Sequence, residues 1–354
     1  KPLMLLKSPY LVICGGFIIG QILHPFIPSA SGFGLLLMVT MFPLYVSLGV
    51  SRTTATAVIA TNGCLDLGPA SGNSILAAKY AGLTPVDYFV TYQLPQAIAI
   101  SLVMTVAHFF VAKYFARKDR EDAEQRAIAE ELKIAKEGAE PEPPFFYAIL
   151  PTVPMIFVLL FGYFKVGGIK MDINVALFLG IFIAMLCEYL RCFNLRKVFA
   201  SIQIFFDGMG VQFATVVTLI IAGETFAKGL QSLGAIDQLI MHAQSAGFGK
   251  TGMIFVMSVI IMGCSLVMGS GNAPFFAFAA FAPDVAKKVG AEAVNILLPM
   301  QLTASVTRAM SPITAVVVAV SGVAGVSPFE VVKRTAVPLA CGLVVVQIMT
   351  FLMF

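Results

Sequence analysis

Arg308 is the single charged residue between Glu292 and Glu330, in a run rich in valine, leucine and alanine. A guanidinium at the centre of an apolar helix costs at least ~2.5 kcal/mol on insertion scales, so such a residue needs a partner. Its planar fork matches a carboxylate through two parallel hydrogen bonds. Two readings stay open: recognition of a substrate carboxylate, and a structural pair with Asp66, the other charge beside a helix interruption. Asp66 is itself a candidate proton or sodium acceptor. Around these charges four clusters of small polar residues recur: PSASGFG (Pro28 to Gly34), DLGPASGNS (Asp66 to Ser74), MGSGNAPF (Met268 to Phe275) and TRAMSPIT (Thr307 to Thr314). They supply the candidate substrate-binding set: Ser29, Ser31, Gly32, Ser71, Gly72, Asn73, Ser270, Gly271, Asn272, Arg308, Ser311 and Thr314. Asp66, Asn73 and Asn272 form the candidate cation-coupling set, with sodium at the tips and breaks as the corresponding metal expectation.

Short hydroxyls, amides and glycines bring a ligand close to backbone groups. A half-helix N-terminus adds free N–H groups and about half a positive charge, which suits a carboxylate. The competing explanation is that small residues merely let helices approach closely.

The elements that position these clusters follow from composition. Of 354 residues, 58% are hydrophobic and 12% charged, against about a quarter charged in soluble domains. Apart from His24, cysteine and tyrosine, nothing ionisable lies between Ser8 and Ser51, and Thr251 to Pro283 is charge-free except for a cysteine. Such runs exceed the roughly 20 residues that cross a bilayer as a helix. The expected fold is an all-α polytopic membrane protein. The six scattered cysteines and the separated His24, His108 and His242 signal neither a disulfide framework nor a zinc site. Nothing basic and aromatic suggests nucleic acid.

AGLTPVDYFVTYQLP (Ala81 to Pro95) aligns without gaps with AGVSPFEVVKRTAVP (Ala324 to Pro338), an offset of 243. Each is preceded by an apolar run with a Gly/Ser tip and then a helix broken by small residues and proline. Five crossings are expected between the tips, from helices at 51–78, 86–113, 145–164, 173–190 and 208–228, with 194–206 on the membrane surface. An odd count inverts the second copy, giving two inverted-topology repeats, each with a helical hairpin and a broken transmembrane helix. The expected division is 1–113 for the first repeat, 114–144 for a charged cytoplasmic loop and 145–354 for the second repeat. With that loop inside, lysine and arginine distribute 15 inside and 7 outside, leaving Arg308 over. Repeat logic also expects upstream sequence before Lys1.

The run HPFIPSASGFGLLLMVTMFPLYVSLGVSR (His24 to Arg52), followed by CLDLGPASGNSILAA (Cys64 to Ala78), resembles the DcuC-type anaerobic C4-dicarboxylate carriers of the ion transporter superfamily. The resemblance implies a secondary transporter of succinate, fumarate or malate in the bacterial inner membrane. It also implies a homodimer whose hairpins and broken helices move as an elevator, by cation coupling or exchange, without a cofactor. An amino-acid carrier of the same broad family and a channel are the alternatives. An enzyme is disfavoured because none of the three histidines falls in a tip or break as read from sequence, so no serine there has a general base.

Overall fold

The computed structural model describes residues 8–27, 29–118, 145–168, 171–234, 238, 241–242 and 249–354. Lys1 to Lys7, Pro28 and most of the charged loop expected at 114–144 lie outside them. Every element among the described residues is helical.

The first copy opens with α1 (Pro9–Leu23), a 3₁₀ turn (His24–Phe26) and α2 (Ala30–Thr40). Ser29 starts α2 by accepting a hydrogen bond from Gly32 N, the local reason the chain re-enters a helix there. A bend before Pro43 begins α3 (Phe42–Ser47). The broken helix consists of α4 (Arg52–Asn62) and α5 (Gly72–Ala81), separated by nonhelical residues from Gly63 to Ser71. Pro85–Asp87, a π turn (Tyr88–Gln93) and α6 (Leu94–Lys118) then run on as one long helix. The segment expected as a loop from 114 therefore begins helically.

The connecting region contains α7 (Val153–Phe157), α8 (Ile173–Cys192), α9 (Leu195–Gln212) and α10 (Thr218–Ser232). Two expectations change here. Residues 145–163 form 3₁₀, α and π segments in succession instead of one regular helix, because Pro151 and Pro154 remove backbone donors. Residues 195–232 continue through a π turn (Phe213–Val217), so the expected surface helix at 194–206 is not a separate element.

The second copy has α11 (Lys250–Met268), α12 (Asn272–Ala279), α13 (Ala282–Lys288), α14 (Ala293–Arg308), α15 (Ala315–Ala324) and α16 (Pro328–Met353). The sequence offset reappears in the elements: α5 and α15 both have 10 residues, and both end at a left-handed glycine, Gly82 and Gly325. The bend before Pro43 is matched by one before Pro283. The closing helices α6 and α16 pack antiparallel. Gln96 near the start of α6 donates to Thr350 near the end of α16 at 3.5 Å, and Arg334 near the start of α16 lies 4.3 Å over the Phe115 ring.

Exposed apolar side chains recur one turn apart: Ile98, Leu102, Val106 and Phe110 on α6, and Phe178, Phe182, Leu186 and Leu190 on α8. Such stripes on the outside of a folded chain suit lipid, not water. Among the described residues, five helices are long and apolar enough to cross a bilayer: Pro9–Phe26, Pro85–Arg117, Ile173–Cys192, Lys250–Met268 and Pro328–Met353. The chain is a multi-pass membrane protein.

Helix α10 is locked to the second hairpin by close backbone approach. A Cβ on Gly223 would stand 2.7 Å from the Phe276 carbonyl carbon and oxygen, and backbone cannot rotate away. Gly223→Ala is therefore expected to lower stability by about 1–3 kcal/mol, read as earlier thermal unfolding in detergent; unchanged unfolding would show that α10 docks loosely.

Candidate functional site

The breaks and tips converge. Tip one packs on break one: a Cβ on Gly63 would meet Ala30 Cα at 3.1 Å. Gly68 has φ +103°, which a Cβ-bearing residue rarely adopts, and its α-carbon sits against Pro25. Tip two packs on break two: Gly271 lies against the Ala304 carbonyl and Arg308 Cδ, and Gly269 against Ile313.

Asp66 is the hub of break one. Its carboxylate accepts from Ser71 Oγ and from Asn73 Nδ2, each at 2.6 Å. Asn73 Nδ2 also donates to Asn272 Oδ1 at 3.0 Å, tying break one to tip two. The Asp66 carbonyl accepts from Gln301 Nε2 at 3.0 Å. Gln301 in turn accepts from Tyr88 at 2.8 Å and donates to Ser74 Oγ. Ser74 and the Gly68 N–H both reach Gln93. Four of these partners, Ser74, Tyr88, Gln93 and Gln301, are absent from the set read from sequence. The retrospective signal is an uncharged polar side chain inside an apolar helix, which must find a partner when buried.

Arg308 closes α14, and its Nη2 donates to the Gly63 carbonyl at the end of α4 at 2.9 Å. The two broken helices thus meet at their C-terminal ends, where the carbonyl dipoles favour a cation. The suggested pair with Asp66 does not form: no ion pair links the two among the described residues, Asp66 being bonded to Ser71 and Asn73 while Arg308 turns to Gly63. Arg308 Nε is buried without a partner. Thr314, which starts α15, donates its hydroxyl back to the Arg308 carbonyl, and Ser311 is buried in the break.

The remaining candidates are placed less tightly. Ser29 and Gly32 are exposed and Ser31 half-exposed at tip one. Ser270 accepts from Ala273 N at the start of α12. Gly72 and Asn73 open α5, downstream of Ser71. His24 lies just ahead of tip one, in the 3₁₀ turn that follows α1. Gln21, one turn earlier, donates to the Thr61 and Asn62 carbonyls at 3.3 Å. The i, i+3 spacing of Gln21 and His24 puts both on the face of α1 toward the end of α4. Glu224 accepts from Lys79 at 3.2 Å and Tyr80 at 2.9 Å, joining α10 to α5.

No cluster of metal-ligating side chains lies among the described residues. The geometry has a buried acid already satisfied by neutral donors, and a cation with spare donors. The sequence model of the C4-dicarboxylate anaerobic carrier family, DcuC, matches residues 1–354. The chain belongs to the DcuC family. Similar relatives include the anaerobic C4-dicarboxylate transporter DcuC of Escherichia coli K12, 38% identical over 353 residues, covering 100% of this chain and 74% of the relative. A Vibrio cholerae protein named as a DcuC-type anaerobic C4-dicarboxylate transporter is 36% identical over 354 residues, covering 75% of its length. These DcuC relatives are named as transporters and not as enzymes.

Proposed function

We propose that the chain carries C4-dicarboxylates such as succinate, fumarate or malate across the bacterial inner membrane, as an alternating-access carrier. The observation that carries this reading is Arg308: a guanidinium at the junction of four interrupted segments, with one hydrogen bond to Gly63 and Nε unpartnered. A carboxylate would offset the cost of leaving those donors unmet. The second carboxylate would face the free N–H groups that open α5 and α15, with Ser29 to Gly32 and Ser270 to Asn272 closing over it from the hairpins.

The contacts support two inverted copies, 1–113 and 145–354. Arg52, opening α4, donates to the Ala324 carbonyl that ends α15. The ends of α4 and α14 meet at Arg308. The broken helices therefore run in opposite directions, as do α6 and α16. An elevator reading draws on the boundary between this unit and the connecting region. There an apolar cleft lies between Pro25, Phe26, Pro69 and Ala70 on one side and Pro151, Pro154 and Leu177 on the other, a surface with few directional bonds to break on sliding. A homodimer and coupling to a cation belong to the same reading. The Asp66, Asn73 and Asn272 network serves in it as the link that lets cation or substrate binding at one break reach the opposite hairpin.

The test is counterflow in liposomes of stated lipid composition, with labelled succinate against internal succinate, fumarate, malate, aspartate and neutral amino acids. Saturable exchange restricted to dicarboxylates is expected. Exchange only with amino acids would shift the substrate class, and large unitary currents would replace a carrier with a channel.

A further inference from the structure

His24 is fully buried at the end of α1, and neither the network around Asp66 nor the contact of Arg308 uses it. Its Nδ1 lies 3.2 Å from the Ile27 carbonyl, an acceptor; the neutral tautomer that donates there presents a bare Nε2 lone pair. Nε2 has no hydrogen-bond partner. The ring is stacked on Phe33 at 5.4 Å, which fixes its plane. It also lies beside the Gly63 backbone, and within electrostatic range of Asp66 and Arg308. Those are the charged groups that face it from the break and from α14. Among other titratable groups, Cys64 sits in the same break, buried. Tyr45 of α3 and His108 of α6 lie farther back along α1, against Gly16 and Phe17, and His108 is bonded to Thr61 at 2.9 Å.

An uncharged imidazole here leaves a buried acceptor without a donor, whereas a proton on Nε2 would turn it into a donor facing a carbonyl. That carbonyl is the one Arg308 already holds. We propose that His24 is the proton-accepting residue of the transport cycle, and that its protonation drives Arg308 off Gly63 toward the substrate carboxylate. The proton from water on one side of the membrane adds to the Nε2 lone pair, no covalent bond breaks, and the same proton leaves to water on the other side. The imidazolium then competes for the Gly63 oxygen and repels the guanidinium, while Asp66 faces the new charge. A substrate anion and a proton are thereby bound together. This rests on the dicarboxylate reading and names its coupling ion.

Liposomes containing the wild-type chain or His24→Gln separate the possibilities, with labelled succinate as probe. Counterflow in H24Q should be weaker than in wild type and independent of pH, because no proton at residue 24 releases Arg308 from Gly63. Stimulation of uptake by an inward-acid gradient should be present in wild type and absent in H24Q. Wild-type counterflow without gradient stimulation, or equal stimulation in H24Q, overturns the proposal and leaves the dicarboxylate reading standing. Absent wild-type succinate counterflow overturns both. Should H24Q not fold, wild type decides alone: adding succinate to the detergent-solubilised protein in weak buffer should draw about one proton per bound molecule, and no proton uptake overturns the proposal.

Discussion

Replacing Arg308 by Gln should abolish succinate transport at ordinary substrate concentrations while the protein still inserts and purifies as a folded species. Glutamine keeps a donor for the Gly63 carbonyl but neither the charge nor the fork. Removing one partner of a desolvated charge pair costs about 2–5 kcal/mol, which is roughly thirtyfold to several thousandfold in affinity. Arg308→Lys should fall between, since a point charge remains without paired donors. Binding measured by isothermal titration and transport measured by counterflow should decline together. Near-normal affinity in R308Q would remove Arg308 from the substrate and return it to a purely structural role at the ends of α4 and α14.

The second large effect is expected at Asp66. Its carboxylate takes two 2.6 Å hydrogen bonds from Ser71 and Asn73, and through Asn73 it reaches Asn272 of the opposite hairpin. Asp66→Ala leaves both donors unmet in a buried setting. With about 1.5–3 kcal/mol for each hydrogen bond to a charged group, the total loss is about 3–6 kcal/mol, enough to cause early thermal unfolding in detergent and loss of counterflow. Asp66→Asn retains one acceptor oxygen, and its smaller stability loss lets transport be measured. If D66A unfolds as late as wild type, the network is not a structural link between break and hairpin. If D66N loses only its response to an imposed cation gradient, Asp66 carries the coupling ion, and His24 would not be needed for it.

Much of the architecture is local and therefore readable without coordinates. Ser29 and Thr314 announce helix starts because a short side-chain oxygen or an extended backbone suits that position. Gly82 and Gly325 announce helix ends because a left-handed residue closes the last turn. Their offset of 243 is the one shared by the two aligned stretches, and it is visible before any contact is known. The bends at Pro43 and Pro283 are separated by 240 residues, close to that offset but not equal to it. Where prolines cluster, as at Pro151 and Pro154, the sequence forecasts an apolar segment but not its mixture of 3₁₀, α and π turns.

The partners are another matter. Asp66 and Gln301 are 235 residues apart, Arg308 and Gly63 are 245 apart, and no periodicity within either segment says which donor meets which acceptor. Arg308 and Asp66 read as natural partners because opposite charges attract. The fold instead surrounds the acid with Ser71 and Asn73 and turns the guanidinium to a helix end. Glu224 shows the same limit, since its two partners on α5 come from the other copy. By itself the sequence determined a membrane chain with four interruptions and one stretch that recurs at an offset of 243, because hydropathy, caps and breaks are properties of neighbouring residues. Only the tertiary structure decided that the interruptions meet, that Asp66 is satisfied and Arg308 is not, and that His24 stands beside them, because those outcomes depend on which distant polar groups share one desolvated space.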